Sequence, residues 1–578
     1  MGDKFDLVIR GGTIVDGSGS QPFRADLAVA NGTIAEIGIV TKTGRTEIDA
    51  RGRLVTPGFV DLHTHFDGQA IWSDRFMPSS LHGATTVVMG NCGVGFAPCR
   101  PNDHDRLVSL MEGVEDIPEI VMTTGLTWDW ETFPQYLDAV ASQPHDIDVA
   151  AYIPHSPIRV YVMGERGLNR EPATTDDIEA MKALVREALT VGALGFATSR
   201  TTFHRTSEGH HIPSFDTAER ELQGIASVLA ERKAGVIQMV PIASHRDGWR
   251  EELDMLVRLA ETSGRPLTFT FAQHNEDPEE WRSTLAFIQK ANETLGLQIS
   301  MQMLPRPVGV ILGFYTTFNP FMDCPSFAPL KDLPVQERVA ALQAPELRNR
   351  LIRERPLAGV PTHALARQFD RMFPLDDPPD YEPSLETSVG AIAARKGVSP
   401  EEVAYDLLLE GEGRRFLYVA MANYADGNLE FLQRMIGQDT TVLALGDAGA
   451  HYGVVCDASY STYALTHWSR DRYKGRFPVE MIIRKLTQVP AAFAGLNDRG
   501  VLKKGYKADI NVIDYDALRL HKPYLVRDMP GNGQRLIQRA DGYAATIVSG
   551  VPVYLEGIPT GMLPGKLVRG PQSAKSNA

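Results

Sequence analysis

From Thr85 to Gly446 the chain alternates repeatedly between two kinds of segment. Short apolar runs end in Gly or polar residues: TTVVMG, DVAAYIP, GALGFATS, GVIQMV, PLTFTFA, LQISMQML and TVLALG. Between them lie longer stretches such as TTDDIEAMKALVREALTVG and REELDMLVRLAETSG, whose apolar residues recur at the helical spacing of three and four. Strand and helix alternating in this way specify parallel β/α architecture, because a parallel neighbour is reached only through a crossover. With about seven or eight such strands, the expected fold is α/β: a closed (β/α)8 TIM-like barrel.

The two ends read differently. DLVIRGGTIVDG and DLAVANGTIAEIG alternate apolar runs with Gly turns and an Asn-Gly hairpin signal, and KADINVIDYDAL and YAATIVSGVPVYLEG do the same near the other end. Residues 1–57 and 491–578 are therefore expected to form one small β-sandwich, the second segment ending in a Gly/Pro-rich tail. Residues 58–490 would form the barrel. One segment breaks the rhythm. Residues 318–381, rich in Pro, Arg and Leu and then acidic, read as an insertion between late strands, either a lid over the mouth or a surface excursion.

Charge narrows the partners. With 58 Lys and Arg against 72 Asp and Glu, the net charge is −14, which disfavours nucleic acid and anionic membrane. No apolar run is long enough for a membrane span, and the N-terminus has no apolar signal core. Four cysteines without C-x-x-C spacing form neither a disulfide framework nor a zinc knuckle. A cytoplasmic enzyme acting on a small molecule is expected, with homo-oligomerisation left open.

Three motifs carry chemistry. In VTPGFVDLHTHFDG a short apolar run ends in His63-Thr64-His65, and residues two apart on a strand point the same way, so both imidazoles can meet one metal ion. In TTVVMGNCGVG, Cys92 ends a second run between glycines, where a thiolate can ligate zinc; a buried structural cysteine is the competing reading. In TVLALGDAGAH, Asp447 ends another run with His451 four residues on. An acid there can bind metal and carry a proton to a leaving amine, or simply cap a helix.

These motifs, with GGTIVDGSG, GVEDIP, GALGFATSR, TQVPAAFAGLNDRGVLKKGYKADINVID and ADGYAATIVSG, run nearly end to end. Together they resemble the amidohydrolase superfamily, and within it the N-acyl-D-amino-acid deacylase branch. The resemblance implies a barrel-plus-sandwich fold, one or two Zn2+ ions (or another divalent metal) at the barrel mouth, and release of a free amino acid from its N-acyl form. It places His63, His65 and Cys92 at metal-ligand positions and Asp447 at the catalytic aspartate.

The chain also departs from that pattern. The family places metal-binding histidines at the ends of its fifth and sixth strands, where this sequence offers Gln238 and then Gln273 or His274, with His245 or His274 able to substitute if the register shifts. Gln is a poor zinc ligand beside imidazole. GALGFATSR contains no lysine where binuclear relatives use a carboxylated one. For substrate contact, Arg200 and Arg306 are candidate carboxylate grips and His155 a candidate oxyanion donor; surface arginines and a packed histidine are the plainer readings. Two rivals stay open: a cyclic-amide hydrolase of the hydantoinase or dihydroorotase kind, and a metal-free barrel acting as a scaffold.

Overall fold

A computed structural model describes residues 4–356 and 365–574. The part of the expected insertion at 357–364 and the last four residues of the tail lie outside the described residues.

The two ends of the chain meet in one sheet. Strands Phe5–Ile14, Phe23–Ala30, Thr33–Gly38, Gly44–Asp49 and Leu54–Pro57 join Ile510–Ile513, Tyr543–Val548, Val551–Leu555 and Ile558–Pro559 in one nine-stranded sheet. The seam is an antiparallel pairing in which Leu54 to Pro57 lie opposite Ile513 to Ile510. Alternate residues such as Leu7, Ile9, Leu27, Val29, Val55, Ile510 and Val512 bury into a core belonging to this unit.

The middle of the chain is mixed α/β. Phe59–Asp61, Ala84–Met89 and Asp148–Ala151 are parallel neighbours in that order. Ile153–Pro154, Gly195–Ser199, Val236–Val240, Leu267–Thr270, Ile299–Met303 and Thr441–Leu443 form a second parallel ladder. Tyr152 N–H donates to Met89 O between the two ladders. The first and last parallel strands also meet: Asp447 N–H donates to His63 O, and His65 N–H to Ala448 O.

Residues on these strands divide by parity. Val60, Val88, Ala150, Ala197, Val236 and Val442 pack together with Ala491, Ala494 and Leu496. Their neighbours Val87, Val149, Phe196, Ile237, Met239 and Met301 pack in the large core that includes helix residues Met181, Val185, Leu253 and Leu256. The helix Thr175–Val191 shows why the local sequence complies. Thr174 and Asp177 form a reciprocal capping box, and the buried Ile178, Met181, Val185, Ala188 and Leu189 keep one face apolar.

Residues 318–381 lie within a longer segment bounded by antiparallel strands. A three-stranded antiparallel sheet, Val308–Leu312 and Met372–Pro374 flanking Leu417–Ala422, brackets the helices Val335–Leu342, Pro345–Leu351, Val389–Lys396 and Pro400–Gly413. Leu312, Phe314, Phe321, Leu342, Tyr405 and Val419 form its own core. Its first and last strands in the sequence escaped notice because GVILGF and RRFLYVAMA look like further parallel-strand runs. Among the described residues no helix is long and apolar enough to cross a membrane.

Candidate metal centre

The first parallel strand ends at Asp61, so His63 and His65 lie just past the ladder rather than on it. Asp61 holds the departing backbone by accepting from His63 N–H. The next loop from the same end carries Cys92, and the last carries Asp447. Both take left-handed backbone, φ 56° and 44°, which non-glycine residues seldom adopt and which often marks a functional position. The turns are tight enough to demand their glycines. A Cβ on Gly90, at φ 83°, would come within 2.3 Å of Tyr152 O, and one on Gly446 within 2.1 Å of Asp61 Oδ2.

These loops bring four donor atoms together. His63 Nε2 lies 3.3 Å from Cys92 Sγ and 3.5 Å from Asp447 Oδ1. His65 Nε2 lies 3.7 Å from the same sulfur and 3.8 Å from the same oxygen. His63, His65 and Cys92 each offer a ligand atom within 4.8 Å of the other two, and Asp447 Oδ1 stands beside the two imidazoles. Asp447 Oδ1 is buried with no protein hydrogen-bond partner, and His63, His65 and Cys92 are buried as well.

A second set of residues aims the first. Gln302 Oε1 lies 2.8 Å from His63 Nδ1, so that nitrogen carries the proton and Nε2 presents its lone pair to Cys92 and Asp447. Glu115 lies between two further rings, with Oε1 3.3 Å from His65 Nδ1 and its other oxygen 3.4 Å from His451 Nε2, contacts that lack hydrogen-bond geometry at His65. Gln238 Oε1 accepts from Cys92 N–H at 3.2 Å. Glu115 was not singled out by sequence: it ends the helix His104–Glu115, and its only signal is its place in GVEDIP. Gln302 was missed because a glutamine on a buried strand, LQISMQML, reads as ordinary packing.

Burial dominates the electrostatics. It pushes the Cys92 thiol well above its ordinary range, helped by Glu115, Asp447 and Asp67. It raises Glu115, helped by Asp447 and Asp67, and Asp447, helped by Asp457 and Asp61. It holds His63 and His451 down to about 4, hence neutral. Acids crowded against neutral imidazoles are a donor set that lacks a positive charge, and a divalent cation fits that need.

The expected substrate contacts are corrected. His155 is fully buried, with Nδ1 2.8 Å from Thr198 Oγ1 and Nε2 2.8 Å from Glu221 Oε1, so neither nitrogen is free for an oxyanion. Arg306 is buried, donating to Ser459 Oγ, Cys456 O and Asp457 Oδ1 and lying over the Tyr381 ring; it is an internal ion pair, not a carboxylate grip. Arg200 spends its Nε on Glu252 and one terminal nitrogen on the Thr217 carbonyl. Each buried cation took a partner from distant sequence. The doubtful fifth- and sixth-strand positions also separate. Gln238 reaches the centre, whereas Gln273 bonds Asn423, Pro278 O and Asp426 of the surrounding loops. His245 and His274 face each other, ring centroids 4.7 Å apart.

Comparison with known proteins agrees with this architecture. Residues 46–554 match the amidohydrolase family. D-aminoacylase of Alcaligenes xylosoxydans xylosoxydans is 26% identical over 567 residues, covering 98% of this chain and 97% of its own. N-acyl-D-aspartate deacylase of the same organism is 27% identical over 515 residues, covering 88% and 86%. Among solved structures, N-acyl-D-glutamate deacylase from Bordetella bronchiseptica, complexed with zinc and a phosphonate mimic of the tetrahedral intermediate, superposes with a TM-score of 0.64. It is 23% identical, covering 98% of this chain and 100% of that one, and at this identity the likeness speaks for the fold alone. With a family match running from within the first strands to the closing sheet, around a centre of two histidines, a cysteine and an aspartate, the chain belongs to the amidohydrolase family.

Proposed function

We propose that this chain is a metal-dependent hydrolase of linear amides, taking an N-acyl-(D-)amino acid to a carboxylate and a free amino acid. The observation that carries the reading is the convergence of His63, His65 and Cys92 on one point, with Asp447 Oδ1 3.5 and 3.8 Å from the two imidazoles. The names of the relatives, D-aminoacylase and N-acyl-D-aspartate deacylase, supply the substrate class. The reading includes closure of the parallel strands into an eight-stave (β/α)8 barrel and folding of the terminal sheet as a β-sandwich, as the backbone bonds between residues 447–448 and 63–65 favour.

His63, His65, Cys92 and Asp447 would hold a Zn2+-type ion. When bound, such an ion supplies Lewis acidity to an amide carbonyl and acidifies water. Gln302 fixes the His63 tautomer, so its Nε2 stays available as a ligand, and Glu115 stands beside the His65 ring. Asp447 takes a proton from the attacking water and returns it to the leaving nitrogen, splitting the amide C–N bond. Gln238 and Gln302 each keep a buried amide nitrogen without a protein partner, donors suited to a substrate oxygen.

Two measurements test this together: metal content of protein purified without chelators or a metal-affinity tag, and amine release from N-acetyl-D-amino acids. About one zinc per chain that is lost on replacing His63 and His65, with Asp447→Asn keeping that metal but losing about 10²–10⁴-fold in rate, is the expected result. Full turnover in Asp447→Asn removes the proton-carrier role. Well-folded protein that takes up no metal and releases no amine removes the hydrolase reading.

A further inference from the structure

The loops after Val236–Val240 and Leu267–Thr270 carry a second set of metal-type ligands. A ring nitrogen of His245, a ring nitrogen of His274 and a carboxylate oxygen of Glu276 all lie within 4.8 Å of one another. Among the described residues, this trio shares no hydrogen bond or ion pair with His63, His65, Cys92 or Asp447. His245 Nδ1 is buried with no hydrogen-bond partner, an uncommon and costly state for a ring nitrogen. Glu276 is exposed, which leaves a path from solvent.

The place in the fold gives the trio a second meaning. His274 makes an isolated backbone bridge to Ala422, which ends the central strand of the inserted sheet. On either side of it, Gln273 N–H donates to Asn423 Oδ1 and Asn275 Nδ2 to Met421 O. His245 comes from the other loop, between Val240 and the helix Trp249–Ser263. An ion held by both histidines would therefore tie two loops at the strand ends to the edge of the insertion.

We propose that His245, His274 and Glu276 form a second divalent transition-metal site, of the Zn2+ class, distinct from the Cys92 centre. Two imidazoles and one carboxylate suit zinc, manganese or ferrous ions over calcium or magnesium, which prefer all-oxygen shells. Three protein ligands leave room for water. The site clamps the insertion to the barrel loops and contributes no group to amide cleavage.

The test uses full-length protein and Co2+ alone as probe, with absorption and elemental analysis. Cobalt at the Cys92 centre shows a thiolate charge-transfer band; cobalt at the second site contributes visible absorption without it. We expect wild-type protein to bind one more equivalent than the His245→Gln/His274→Gln variant, and that equivalent to lack the thiolate band. Glu276→Gln, at an exposed position that leaves folding intact, should weaken this equivalent by about tenfold or more, since even outer partners of a metal are worth about 10–100-fold. Equal cobalt stoichiometry in wild type and the double variant, or an extra equivalent that survives in both variants, overturns the proposal. Because the thiolate band reports the Cys92 centre separately, its loss alone counts against the catalytic reading and not against this one.

Discussion

The mouth of the parallel sheet has two unlike halves. The loops after Phe59–Asp61, Ala84–Met89 and Thr441–Leu443 present His63, His65, Cys92 and Asp447, all strong metal donors. Across from them, Val236–Val240 and Ile299–Met303 present Gln238 and Gln302, whose carboxamides bond the Cys92 backbone and the His63 ring. On the proposed reading one half would hold the metal and the other position its ligands.

Substitutions in the two halves should differ in size. Cys92→Ser removes a ligand, and with about 10–16 kcal/mol of binding shared among four ligands, zinc affinity should fall by about 10²–10³-fold or more. Competition against a chelator measures it; unchanged affinity would place the metal elsewhere. Gln302→Leu frees the His63 ring without touching a ligand atom, and a loss of about 10–100-fold in metal affinity is expected. A larger loss than in Cys92→Ser would reverse the roles of the two halves. Gln238→Leu leaves the buried Cys92 N–H unpaired, at about 1–3 kcal/mol of stability, with metal affinity less affected than in Gln302→Leu. Chemical denaturation with zinc titration separates the two effects.

The smallest effect lies away from the mouth. Burial raises the Glu382 carboxyl, but hydrogen bonds from His467, Arg472 and the Leu429 backbone outweigh it and hold it at about 2, below its ordinary 4.5. A depressed acid stabilises the fold above its unfolded value and loses that contribution as pH falls towards 2. After allowance for solvent screening, about 1 kcal/mol should be lost across that interval. Glu382→Gln should flatten the pH dependence of the denaturation midpoint there, and an unchanged slope would show that the pair adds nothing.

What the sequence revealed follows from how local each signal is. The parallel strands, the terminal sheet and the convergence of His63, His65 and Cys92 were legible because apolar period, glycine turns and H-x-H spacing are written within a few residues. Glu115 was not, because only folding carries the end of its helix beneath His65 and His451. Arg306 and His155 misled for the same reason: their partners Asp457 and Glu221 lie 151 and 66 residues away. An arginine read alone looks like a substrate grip; the same arginine with its acid in place is part of the wall. Similarly, the insertion's outer strands imitate barrel strands until their antiparallel pairing is seen.

The seam between Leu54–Pro57 and Ile510–Ile513 also bears on how the chain is born. On the ribosome, at about 5–20 residues per second, the later strand follows the earlier by roughly 20–90 s. Throughout that interval Leu54–Pro57 has its companion Phe5–Ile14 on one side and an open edge on the other. Open edges recruit foreign strands. The nascent protein thus carries a sticky flank for most of its synthesis, and any interruption that stops translation beyond the parallel strands but short of Ile510 would release a chain prone to aggregate rather than a smaller working enzyme.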